Sequence, residues 1–107
     1  MITVINSFAC EPEQQENLVR ALRDAAPELG ALPGIVAATL HRSLDGTRVV
    51  NYVQVRSVED YENLRKVGQT KGYFDRITKF ATGKPDAHVY EVVIRQPDGV
   101  MSWRTLS

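Results

Sequence analysis

Ile35-Val36-Ala37-Ala38-Thr39-Leu40-His41, then Asp45-Gly46, then Val49-Val50-Asn51-Tyr52-Val53-Gln54-Val55, is the stretch on which the fold turns. Two β-prone runs flank a dipeptide suited to a turn, because Gly takes positive φ without steric cost and Asp tolerates it. The stretch predicts a β-hairpin. Side chains alternate along a strand, so Val49, Asn51, Val53 and Val55 share one face, while Val50, Tyr52 and Gln54 share the other. Asn51 is out of place among those valines, where an amide must find a partner or cost stability. A nearly apolar face carrying a single amide is how a small ligand pocket is lined.

Upstream, residues 2–8 read as a first strand, with Ile2, Val4, Asn6 and Phe8 on one face. Asn6 is a second amide embedded in an apolar row. Glu11-Pro12-Glu13 looks like a helix start, since Pro is tolerated in the first turn and acids suit the dipole there. Leu18, Leu22, Ala25, Leu29 and Leu32 follow at steps of four and three, an amphipathic stripe facing a sheet. Pro27 should kink or shorten the last turn, and Leu32-Pro33-Gly34 ends the segment.

Downstream, Ser57-Val58-Glu59-Asp60 places a hydroxyl at a helix cap with an acid three residues on. Val58, Tyr61 and Leu64 are expected on the buried side of a short helix, interrupted over residues 67–72. A second helical piece over residues 73–80 puts Tyr73, Ile77 and Phe80 on one stripe, with Arg76 beside them. Residues 87–95 read as the last strand, residues 96–99 as a turn, and a short tail holds Trp103.

The order β-α-β-β-α-β predicts an α+β, ferredoxin-like sandwich with helices on one face of the sheet. The other face carries Ile5, Tyr52 and Tyr90, too apolar to be left wet, and a two-fold homodimer is the simplest cover. With 107 residues the chain is expected to form one domain, its core over about residues 2–95 and its tail over 96–107. Thirteen basic and thirteen acidic residues cancel, and the basic ones are scattered, so no nucleic-acid partner is expected. No apolar run approaches the roughly 20 residues of a membrane span. No signal-peptide pattern opens the sequence, and a single cysteine fits a reducing, cytoplasmic setting.

Familiar chemistries are missing. No Gly-rich phosphate loop follows the first strand, and the two histidines, His41 and His88, belong to no cluster with metal-ligand spacing. Cys10 lies just ahead of a helix start, yet nothing requires it to react.

Leu32-Pro33-Gly34-Ile35, the segment from His41 to Gln54 (His-Arg-Ser-Leu-Asp-Gly-Thr-Arg-Val-Val-Asn-Tyr-Val-Gln) and Ser57-Val58-Glu59-Asp60-Tyr61, set in this βαββαβ layout, resemble the antibiotic biosynthesis monooxygenase family. The resemblance covers roughly residues 2–94. It implies a dimeric α+β barrel and a cofactor-independent oxygenase. Such an enzyme oxidises an anthrone-like, polycyclic aromatic polyketide with molecular oxygen, in natural-product biosynthesis and without metal or flavin. Asn51 matches the family's strand asparagine, Asn6 a second asparagine, and Arg76 a pocket arginine; these are the catalytic candidates. Tyr61 matches a pocket tyrosine, and Tyr73, Val53 and Val55 join it as substrate-binding candidates. Val55 stands where the family commonly has Trp. That departure keeps open an alternative, a non-catalytic dimeric module that binds an aromatic metabolite or a partner enzyme.

Overall fold

The computed structural model describes residues 1–95 and 104–105. The turn expected over residues 96–99, and Trp103, lie outside them. In chain order the elements are β1 (Ile2–Ala9), a 3-10 turn (Pro12–Gln14) running into α1 (Gln15–Leu29), β2 (Ile35–Arg42), β3 (Arg48–Val55), α2 (Val58–Thr70), α3 (Tyr73–Thr78), β4 (Asp86–Glu91), β5 (Ile94–Arg95) and β6 (Arg104–Thr105). Four strands make an antiparallel sheet in the order β2-β3-β1-β4, and β5 pairs with β6 in a separate ladder. This is the expected α+β, ferredoxin-like arrangement.

The hairpin turn is built as its residues dictate. Gly46 takes φ +83°, and its N–H donates to the Ser43 carbonyl at 3.2 Å. The Asp45 carboxylate accepts from the Thr47 hydroxyl at 2.7 Å, the Thr47 N–H at 3.0 Å and the Ser43 hydroxyl at 2.7 Å. Those donors hold the acid ionised and pull its pKa from 3.8 to about 2, with the Thr47 hydroxyl contributing most. At the start of α2, Ser57 caps the helix by accepting from the Asp60 N–H at 3.2 Å.

Four expectations are corrected. The Leu32 end of the first helical stripe is not helical, because α1 stops at Leu29, two residues after Pro27 removes a backbone donor from the last turn. The interruption expected at 67–72 narrows to residues 71–72: Gly68 is buried inside α2, and the chain breaks only where Gly72 takes φ +75°. The long last strand divides at residues 92–93. Glu91 pairs with Ile2, where β1 begins, so beyond it β4 has no neighbour left to bond. Val58, expected inside, is 56% exposed; the inward stripe of α2 begins at Tyr61.

The core falls into two clusters on the helix side of the sheet. One gathers Phe8, Cys10, Leu18, Val19, Leu22, Val49 and Ile77; the other gathers Val4, Val53 and Val55 with Ile2, Ile35 and Tyr61 around them. Burying a Val or Leu side chain contributes about 1.5–3 kcal/mol, so each cluster is a substantial anchor for the sheet. Between them runs one cross-strand row, Leu40, Asn51, Asn6 and Ala87, taken in the order of the strands. The two amides therefore divide the core. Among the described residues no helix is long and apolar enough to cross a membrane.

Candidate active site

Where the amide row separates the two clusters, the helices stand away from the sheet and leave a hollow of about 500 Å³. Its floor is sheet: Val4, Asn6 and Phe8 from β1, Asn51 and Val53 from β3, and Ala38 and Leu40 from β2. One wall is the face of α1 that includes Leu22, Ala25, Ala26 and Leu29. The opposite wall is Tyr61 and Leu64 of α2 with Phe74, Ile77 and Thr78 of α3. The size lies within the range usual for sites that enclose small organic molecules, and so does the mostly apolar lining.

Asn6 and Asn51 are direct register partners on adjacent antiparallel strands, so their side chains rise side by side from the floor. Each is half-buried, and no hydrogen bond to a described residue ties up either amide. Each amide can aim one N–H at a shared acceptor, so the pair can supply two donors to one oxygen. Tyr61 packs on the Val4–Val53–Val55 cluster and faces the hollow, and Val53 forms floor beside it.

The remaining candidates lie elsewhere. Val55 is fully buried between Ile2 and Ile35 and does not line the hollow. Tyr73 packs against the other cluster and donates its hydroxyl proton to Glu28 at 2.6 Å. That bond raises the Tyr73 pKa, with burial and the Glu28 charge adding to it, so the hydroxyl stays protonated. Arg76 lies over the Tyr73 ring, 4.6 Å from its centre, and does not reach the hollow either.

The cations that do line the hollow are Arg23 of α1 and Arg65 of α2, both exposed and therefore at its rim. Arg65 is 3.3 Å from Glu62 and 6.0 Å from the centre of the Tyr61 ring. Sequence reading missed both. Arg65 was accessible, since Tyr61, Leu64 and Arg65 stand at the i, i+3, i+4 spacing of one helix face. Arg23 follows Leu22 at the margin of the apolar stripe, where a charge reads as ordinary surface. His41 and His88 are exposed, with His88 at 2.7 Å from the Asp86 carboxylate. Cys10 is buried, which raises its pKa, and the charges of Glu11 and Asp45 push the same way. Among the described residues no group of three or more His, Cys, Asp or Glu side chains converges as a metal site would.

The fold and the hollow together define an α+β protein with a largely apolar hollow over a pair of amides. Residues 1–75 match the antibiotic biosynthesis monooxygenase family, and the chain belongs to that family of monooxygenase-like oxidoreductases. Over 86 residues it is 35% identical to the tetracenomycin-F1 monooxygenase of Streptomyces glaucescens, covering 79% of this chain and 77% of that protein. The ActVA-Orf6 monooxygenase of Streptomyces coelicolor, solved with Nanaomycin D, superposes with a TM-score of 0.71 at 25% identity, over 94% of this chain and 90% of that one. SnoaB, a cofactor-independent oxygenase of Streptomyces nogalater, shares the fold at 18% identity with a TM-score of 0.71, over 92% and 96% of the two chains.

Proposed function

We propose that the protein is an oxygenase that converts an anthrone-like, polycyclic aromatic polyketide to a quinone in natural-product biosynthesis. It uses molecular oxygen without a metal or flavin. The observation that carries this reading is the opposed pair Asn6 and Asn51 in the middle of an apolar hollow.

Ground-state dioxygen is a triplet and reacts slowly with closed-shell organics, so the substrate has to supply electrons as an enolate or phenolate. Amide donors aimed at its oxygen favour that anion, and a largely water-excluded surround strengthens the interaction. Asn6 and Asn51 take this role, with the rim guanidiniums of Arg23 and Arg65 adding positive potential. Tyr61 offers a hydroxyl to a substrate phenol, and Val53 supports the ring system from below. Among the described residues that line the hollow none is a carboxylate or an imidazole, and in this reading proton loss falls to water or to an already acidic substrate. The balance needs no outside reductant. A ring methylene loses two hydrogens and gives up four electrons; one oxygen atom becomes its carbonyl and the other leaves as water.

The reading extends to a homodimer. The face of the sheet away from the helices carries Ile5, Val50 and Tyr52, half-buried, and Tyr90, 46% exposed. A second sheet packed there would cover it and complete an α+β barrel. Sedimentation at micromolar concentration tests that part.

Purified protein and anthrone are combined under air, and quinone absorbance is followed against the uncatalysed rate. Asn51→Asp removes a donor where negative charge develops and puts a like charge in its place. The variant should lose about 10²–10³ in kcat while the substrate remains bound, because the lost interaction is stronger in the transition state. No quinone above background from the native protein would end the proposal.

A further inference from the structure

Tyr73 and Arg76, which do not line the hollow, mark a feature of their own at the corner where α2 turns into α3. The corner runs from Lys71 through Gly72 to Phe74. Among the described residues, its polar ties to another element all end on one carboxylate. Glu28 of α1 accepts from the Tyr73 hydroxyl at 2.6 Å and faces the Lys71 ammonium at 3.7 Å. The Arg76 guanidinium, 4.6 Å from the centre of the Tyr73 ring, braces the donor. Among the described residues no backbone hydrogen bond joins the corner to α1 or to the sheet. The amides of Lys71 and Gly72 bond back to Val67 and Gln69, and the next tie outward is the Thr82 N–H to the Ala9 carbonyl at 2.7 Å.

Two further observations bear on this tie. Glu28 stands in the last turn of α1, where the helix dipole disfavours a negative charge and no basic residue offsets it. Gly72 takes φ +75° in open space: a methyl group there would meet nothing nearer than Arg76 Nη1 at 3.8 Å. Gly68 is a glycine for want of room, whereas Gly72 is one for its backbone freedom, as a hinge requires. Phe74 rides on the corner, lines the hollow and is 37% exposed. Resting on the reading of the hollow as a ligand site, we propose that this corner is a flap over it, hinged at Gly72 and latched by Glu28. With the latch made, Phe74 closes the wall and shields the hollow from water. With the latch released, the corner lifts and an aromatic ligand passes in or out beside Phe74. Glu28 does not line the hollow, so it acts as a positioning residue that sets the rate of ligand exchange.

The test is stopped-flow binding of 1,8-dihydroxyanthraquinone, a neutral probe, followed by its fluorescence. Tyr73→Phe keeps the ring beside Arg76 and removes the latch hydrogen bond. It should raise the association and dissociation rates together, each about three- to tenfold, as expected when one hydrogen bond no longer favours the closed state. Kd should stay within about twofold. Glu28→Ala, which also frees Lys71, should raise both rates at least as much. Glu28→Gln keeps an acceptor for Tyr73 and should remain within about twofold of native. Deuterium exchange at the Lys71 and Gly72 amides should quicken in Tyr73→Phe and Glu28→Ala, with the amides of β1 and β3 unchanged. A rise in the dissociation rate alone overturns the proposal, since a merely lost contact weakens the complex without opening a path. Faster exchange in the strands as well marks a general loosening and also overturns it. Unchanged rates in all three variants overturn it and leave the hollow reading intact. Failure of the probe to bind the native protein at its solubility limit ends the hollow reading and this inference with it.

Discussion

Gly68 offers a sharp test of how α2 and α3 are joined. It is buried inside α2, where Gly costs about 1 kcal/mol relative to Ala, so Gly68→Ala should stabilise if helix propensity alone decided. A methyl group there would sit 2.6 Å from Cζ of Phe74 and 2.9 Å from both Cε atoms. The ring has to retreat by about 0.8 Å to restore an ordinary contact near 3.4 Å. Forced repacking of this kind costs typically about 1–3 kcal/mol. The net expectation is a change from about zero to 2 kcal/mol of destabilisation. Phe74 is 37% exposed and lines the hollow, so the displaced ring also reshapes the wall, and affinity for an aromatic ligand should fall.

The assay is urea denaturation of four proteins: native, Gly68→Ala, Phe74→Ala and the double variant. Protein concentration is fixed, because self-association would make stability depend on it. With the ring gone, Gly68→Ala should regain its full benefit of about 1 kcal/mol, roughly 4–8 °C in melting temperature for a domain near this size. The coupling energy of the cycle should be about 1–3 kcal/mol. Equal stabilisation by Gly68→Ala with and without Phe74 would show that the close approach costs nothing, and would refute the reasoning.

Other consequences are simpler to measure. Asp45 has a folded pKa of about 2 against an ordinary value of 3.8, so it protonates more readily in the unfolded chain. Its contribution is therefore present above about pH 4 and lost as pH falls toward 2; urea midpoints should show a loss in this window that Asp45→Ala flattens. Cys10 should react with a disulfide reagent more slowly at pH 8 than a free thiol, because burial and the nearby acids raise its pKa. A rate equal to that of free cysteine would contradict its placement. Thr3 is 3% exposed, and its hydroxyl has no partner among the described residues. Thr3→Val should be neutral or stabilising by up to about 1 kcal/mol in thermal melts. A clear loss would mean that the hydroxyl bonds to a group outside this chain's described residues.

The fold was legible because its signals are local and agree with one another. Alternation set the faces of β1 and β3, Asp45-Gly46 set the turn, and Ser57 set the cap; each acts within a few residues. Those faces were enough to put Asn6 and Asn51 on the helix side. That they are direct partners depends on the register of β1 against β3, which the chain fixes over a separation of 45 residues. The end of β4 was illegible for a related reason. It depends on where β1 starts, not on the residues at 92–93, which remain as β-prone as those before them.

The helical residues were harder to place, and Gly68 shows why. Read as a breaker, it ends α2 early and frees the next piece to start in any phase. Read as a point of contact, it carries α2 on to Thr70, and the turn through Gly72 then fixes the phase of α3. In that phase Phe74, Ile77 and Thr78 face the hollow. Tyr73 turns to Glu28 and Arg76 lies over Tyr73. A rotation of about 100° per residue separates the two outcomes, so a one-residue error in phase is enough to move an arginine out of a site. The strand candidates were safe from this, since a strand offers only two faces; a helix offers a continuum. Arg65 is a different case: it precedes Gly68 and follows Tyr61 by one helical turn whether or not α2 runs on, so its place at the rim was fixed by the Ser57 cap and the local spacing alone.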